Sequence, residues 1–276
     1  MKILDYSRKF ESPWDFMEAA NQPITCDYKS ARQRGEEGNK FVGGTLPDSI
    51  ALATEGWGDA PNLGEQCNAI VEGIAEAEAE GTMASVSGAF LDIGAFVSGE
   101  PECFQEFTPV PAPKTMRMGV NIMISCENSK TQIAFKGAVM IAVIRSLEMS
   151  GVAVELDCVI ANQPSNRASK IFENITFPLK RAGERVDENQ LAYWVCHDSA
   201  LRQIYFSYQD TQSKTYQNAF NTSCGRGACR GVKAAKVGCD YIFPNHLSPR
   251  TVEEAVGEYQ AIMEEVKTLL GRSEES

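Results

Sequence analysis

The strongest hydrophobic pattern lies in the middle of the chain. Val120–Ile124 is a short apolar run and reads as a strand. The segment IAFKGAVMIAVIRSLEMSG (133–151) is too long and too uniformly helix-permissive to be another strand, and Gly151 ends it. VAVELDCVIA (152–161) is again apolar over a strand's length. Strand, helix and strand in that order predict a βαβ unit, whose right-handed crossover makes the two strands parallel. Strands this apolar call for helices on both faces of the sheet.

Downstream, KIFENITFPLK (170–180) alternates Ile171, Phe172, Ile175, Phe177 and Leu179 with polar residues and carries Pro178, which predicts an edge strand. Asp187 is placed to cap a helix running through LAYWVCHDSALRQIYFSYQ (191–209), and CDYIF (239–243) reads as a further strand. Ser248-Pro249 opens a helix over TVEEAVGEYQAIMEEVKTLL (251–270), with Glu253 and Glu254 at its positive end.

The first 110 residues are less regular. Ser12 and Pro13 are an N-cap and first helical position, and KSARQRGEEGNKFVGG (29–44) reads as an irregular arm docked on the main body. Residues 62–80 place Cys67, Ile70, Val71 and Ile74 on one face of an amphipathic helix that Gly81 ends. Residues 84–104 suit a short helix between glycines, and VPAPK (110–114) punctuates the chain. The expectation is an N-terminal extension over 1–110, with helices packed on an α/β domain over 111–276. That domain has three layers and a mostly parallel central sheet.

Charge narrows the partners. Thirty-seven acidic against 26 basic residues leave −11, which repels duplex phosphate and anionic membranes at long range, though a local basic patch can overrule it. No apolar run approaches the roughly 18 to 20 residues of a membrane span, and MKILDYSRKFESPW lacks the apolar core of a secretory signal. Nine cysteines, several inside apolar patterns, suit free thiols in a reducing, cytoplasmic setting.

Candidate chemistry concentrates after the first strand, where Ser125, Glu127 and Ser129 recur at every second position. An extended loop turns three such oxygens toward one point, the donor type that hard cations prefer. The order of strand, S-x-E-x-S loop, long helix, edge strand, helix, strand and helix over 118 to about 270 resembles the von Willebrand factor A-like fold. That family's metal loop is D-x-S-x-S after the same strand. The resemblance implies a divalent cation such as magnesium at Ser125, Glu127 and Ser129, and a protein partner held at the carboxyl end of the sheet by Glu127 and Asn128. Here Ser125 stands where the family has its aspartate, so the strongest anionic ligand is missing. Ser129 or Thr131 as a helix N-cap is the competing account. GWGDA (56–60) and SVSGAFLDIGAFVSGEPECF look like segments of uncharacterised phage and mobile-element proteins, which implies an origin and a host cytoplasm rather than an activity.

Two other clusters stand apart. Cys224, Cys229, Cys239 and His246 are four zinc-type ligands at a spacing that matches no standard knuckle. Arg226, Arg230, Lys233 and Lys236 lie among glycines in the one concentrated basic stretch, a loop able to grip phosphates or nucleic acid. His197 reads as a packing histidine beside Trp194, and Asp198 with Arg202 as a helix ion pair. No nucleophile elbow, Walker loop or H-E-x-x-H occurs. The residues favour a non-enzymatic protein-interaction module. A nucleic-acid-associated protein using loop 224–236 and an enzyme with a nonstandard site near Ser125 and Glu127 remain as alternatives.

Overall fold

The computed structural model describes residues 4–58, 83–85, 90–91, 104–106, 114–123, 129–164, 171–184, 187–220, 222, 228–229, 231–244 and 247–272. The elements begin with β1 (Leu4–Asp5), β2 (Arg8–Lys9), α1 (Pro13–Ala20), α2 (Ala31–Glu36) and α3 (Leu46–Glu55). Next come β3 (Met83–Ser85), β4 (Phe90–Leu91), β5 (Phe104–Glu106), β6 (Lys114–Asn121), α4 (Lys130–Met149), β7 (Val152–Gln163) and β8 (Ile171–Lys180). The chain continues with α5 (Glu188–Cys196), a π-helical turn (Ala200–Tyr205), α6 (Phe206–Thr211) and α7 (Lys214–Phe220). It closes with β9 (Ala228–Cys229), α8 (Ala234–Val237), β10 (Tyr241–Ile242) and α9 (Val252–Arg272).

The βαβ unit is present: β6 and β7 pair in parallel from Lys114↔Val152 to Asn121↔Val159, joined by α4. β10 adds in parallel on the other side of β6, and β8 lies antiparallel against β7, giving the order β1-β8-β7-β6-β10. The fold is therefore α/β, with a sheet whose pairings are parallel except at β8 and β9 against β7.

β8 is not an edge strand along its first half. Residues 4–9 form one interrupted outer strand in a single parallel register, Leu4↔Ile171 to Lys9↔Thr176. At the interruption Ser7 Oγ accepts the Asn174 N–H at 3.0 Å, a bond the ladder would otherwise supply. Pro178 lies beyond the last pair of that outer strand and beside a register shift at Leu156/Asp157, where its missing N–H removes no regular ladder bond. The N-terminal extension, expected to pack only helices on the main domain, thus contributes strand as well as helix.

One face of the sheet carries the main core. Met118, Val120, Leu156, Cys158, Ile160, Ile175 and Phe177 are buried there beneath the helices. Phe16 of α1 stacks on Phe177 at 5.0 Å, and Trp194 of α5 meets the same ring at 4.9 Å, so the N-terminal arm shares this core. α4 is buried on nearly all sides, against the sheet, α5 and α9, which is why its sequence lacks a polar stripe. At Gly137 an added Cβ would overlap the Cys196 sulfur, so glycine sets the closeness of α4 to α5. On the opposite face Arg117 Nε donates to Asp157 Oδ2 at 2.6 Å beside Cys239, and α8 approaches β8.

Two expected helices differ. Residues 84–104, where described, hold short strands of a separate antiparallel sheet, β3-β5-β4. The helix expected over 191–209 breaks at His197, whose backbone is extended (ψ 128°), and resumes as a π-helical turn. Ser199 N–H and Oγ bond His197 Nδ1 at 3.1 and 2.8 Å, a local alternative to the helix ladder. The helix expected over 62–80 lies outside the described residues.

Candidate functional site at the carboxyl end of the sheet

β6 is the strand at which the sheet order reverses: the chain passes from it to β7 on one side, and β10 returns on the other. Ligand sites in open α/β sheets favour the carboxyl ends of strands at such a point. There α4 begins with a capping box. Ser129 Oγ accepts the Gln132 N–H at 3.2 Å, and Gln132 Oε1 accepts the Ser129 N–H at 2.9 Å. Of the three residues expected to hold a cation, Ser129 is thus a helix cap, while Ser125 and Glu127 lie outside the described residues, as does Asn128, expected with Glu127 to hold a partner. Lys136, which the hydrophobic pattern absorbed as helix, is buried at 3 % exposure, with Nζ 3.2 Å from the Asn121 carbonyl that ends β6. A cation brought to this strand end meets that ammonium.

Beside the first turn of α4 lies a cavity of about 180 Å³, walled by Ile133, Ala134, Trp57 and His197, with Lys40 and Asp198 also lining it. The break after α5 puts His197 there. Its ring stacks on Tyr193 at 5.3 Å and meets the Trp57 ring edge-on at 4.8 Å. Because Nδ1 accepts the Ser199 N–H, the neutral ring carries its proton on Nε2. Ser199 Oγ also lies 3.1 Å from the Tyr193 hydroxyl, and burial pushes that phenol above its ordinary range, so it stays protonated. Ser199 is fully buried and cannot reach a substrate; it orients the imidazole. Asp198 and Arg202 pair at 3.4 Å, and the Arg202 guanidinium sits over Phe41, so this charge pair is structural.

A second polar cluster lies deeper at the same end. Glu173 of β8 faces Asn162 of β7 and is fully buried. Its Oε2 accepts the hydroxyls of Tyr205 and Tyr216, each at 2.7 Å, while Asn162 and Gln209 amides donate to Tyr205 at 2.6 and 3.0 Å. Burial raises the Glu173 carboxyl to about 7, against the lowering effect of the two tyrosines and the charge of Arg8. Its Oε1 has no hydrogen-bond partner among the described residues. The π-helical turn, a geometry frequent at functional sites, ends at Tyr205. Sequence reading missed this cluster because Glu173 is one of many scattered acids, although it shares the two-residue parity of Ile175 and Phe177, the signal of a buried face. Tyr205 and Tyr216 likewise look like ordinary apolar-face aromatics.

Of the four zinc-type residues, the two that are described, Cys229 and Cys239, lie apart. Cys229 stands opposite Asn162 on β7, whereas the Cys239 sulfur lies 3.9 Å from Asp157 Oδ2. Five residues along a strand are about 17 Å, far beyond two zinc–sulfur bonds of about 2.3 Å. Burial, with the Asp157 charge, pushes the Cys239 thiol up to about 12, so it is an inert core thiol. Cys224 and His246 lie outside the described residues, as do Arg226 and Arg230. Lys233 precedes α8 as its exposed N-cap residue, and Lys236 reaches to 5.9 Å from the Phe172 ring. Among the described residues no helix is long and apolar enough to cross a membrane.

Residues 3–272 match a family described as a domain of unknown function (DUF7192). No curated protein and no solved structure matches the chain. The match spans the outer strand, the shared core and the carboxyl-end cavity alike, and the chain belongs to the DUF7192 family.

Proposed function

We propose that this chain is a binding module that receives a protein partner at the carboxyl end of its sheet, through the cavity between α4 and His197. The observation that carries the reading is that cavity: it lies at the first turn of α4 beside β6 and is walled by the fixed rings of Trp57 and His197. At about 180 Å³ it falls below the 300 to 1,000 Å³ of sites that enclose a drug-sized molecule. It suits one anchoring side chain of a partner, the form that binding hot spots take. Trp57 and His197 form an aromatic corner, and Lys40 and Asp198 offer both charges to the tip of the incoming group. The von Willebrand factor A-like assignment belongs with this proposal, and the order β6, α4, β7 with β6 and β7 parallel supports it.

A random-peptide library panned on the immobilised full chain and on an Ala134→Trp chain tests the reading. Ala134 lies on the cavity wall and is only partly buried, so the larger side chain fills the space without entering the core. A consensus with one anchoring position, enriched on the original chain and lost on the variant, is expected. No enrichment, or the same consensus on both chains, refutes it.

A further inference from the structure

On the other side of the molecule, at the outer edge of β8, an open cleft of about 510 Å³ is lined by Asp5, Ser7, Arg8, Lys9, Phe172 and Lys236, among others. Its cations come from opposite ends of the sequence. Both Arg8 and Lys9 arrive on the outer strand, where Arg8, in register with Ile175, faces the core side and Lys9, in register with Thr176, faces the Phe172 side; Lys236 comes from the helix that follows the glycine-rich basic stretch. None of the three makes an ion pair among the described residues, although the protein carries −11 overall. Lys9 and Lys236, two like charges at one cleft with no carboxylate paired to them among the described residues, repel one another, and an anion relieves that repulsion. The one carboxylate present, Asp5, is tied back to its own strand by the Ser7 N–H at 2.8 Å.

The cleft also holds an aromatic ring. Phe172 pairs with Asp5 in register, so both face the same side of the sheet, and Lys236 Nζ stands 5.9 Å from the Phe172 centroid. An aromatic face flanked by ammonium groups is the chemistry that recognises a base next to a phosphate. The volume lies within the range of small-molecule sites. We infer that this cleft binds a nucleoside phosphate, with the base on Phe172 and the phosphates on Lys9 and Lys236. This site is independent of the cavity at His197.

The full chain is titrated against fluorescent adenosine triphosphate, against inorganic tripolyphosphate, and against labelled oligothymidylates of increasing length. Saturable binding of the nucleotide is expected, tighter than that of tripolyphosphate. It should weaken by at least about tenfold in Lys9→Glu/Lys236→Glu, two exposed positions, and show a shallower salt dependence there. Phe172→Ala should erase the preference for nucleotide over tripolyphosphate while circular dichroism shows the fold retained. Affinity that rises with oligonucleotide length assigns the site to a single strand, and affinity independent of length assigns it to a free nucleotide; either supports the inference. Absence of saturable binding, equal affinity for tripolyphosphate, or unchanged affinity in the double charge reversal overturns it.

Discussion

Replacing Glu173 by glutamine should flatten the pH dependence of stability. The carboxyl is fully buried and raised from 4.5 to about 7. That difference corresponds to about 3 kcal/mol between its two protonation states. Below pH 4.5 both the folded and the unfolded chain hold the proton. Between 4.5 and about 7 only the folded chain holds it, so stability falls by about 1.4 kcal/mol for each pH unit. Above 7 both are charged and the full contribution of about 3 kcal/mol is lost. Glutamine keeps an acceptor for the Tyr205 and Tyr216 hydroxyls and stays neutral throughout. Urea unfolding of both chains from pH 5 to pH 9 isolates the effect, because every other titrating group is common to the two. The original chain should lose about 3 kcal/mol more than the variant across that range. Parallel curves would show that Glu173 ionises normally and that water reaches its unpartnered oxygen.

Two substitutions probe the packing around the sites. Gly137→Ala should destabilise by about 1 to 3 kcal/mol through overlap with the Cys196 sulfur, and adding Cys196→Ala should recover most of the loss in urea midpoint; an additive double variant would contradict the contact. Arg117→Leu leaves Asp157, at 5 % side-chain exposure, charged beside Cys239 without its guanidinium, and should cost about 3 to 5 kcal/mol. The same substitution in an Asp157→Asn background should cost far less, and an equal cost in both backgrounds would place the effect in lost packing.

Much of the central fold was legible because its signals are local. The length and uniform apolarity of 133–151 and the flanking apolar strands define the parallel β6–α4–β7 unit, and the caps at Ser12, Asp187 and Ser129 are written in single residues. Those same local rules misread the segments whose structure depends on a distant partner. Residues 4–9 become a strand only because β8 offers them an open edge, and that pairing in turn makes β8 internal. The helix around His197 breaks where its own side chain competes with the ladder, a choice that periodicity cannot register.

The sites divide in the same way. Sequence alone determined the place of one, the carboxyl end of β6, since strand and helix order fix where loops gather. It offered Ser129 or Thr131 as the cap of the following helix, and the structure puts the cap at Ser129. Only the tertiary structure decided that Lys136 is buried beside that strand end and that Trp57 and His197, 140 positions apart, meet at 4.8 Å. The same is true of Glu173, which sits sealed between two tyrosines, and of Lys9 and Lys236, which share a cleft. The physical reason is that helix and strand propensities act over a few residues. Burial, charge pairing and cavity shape arise from contacts between segments that the chain closes across its whole length.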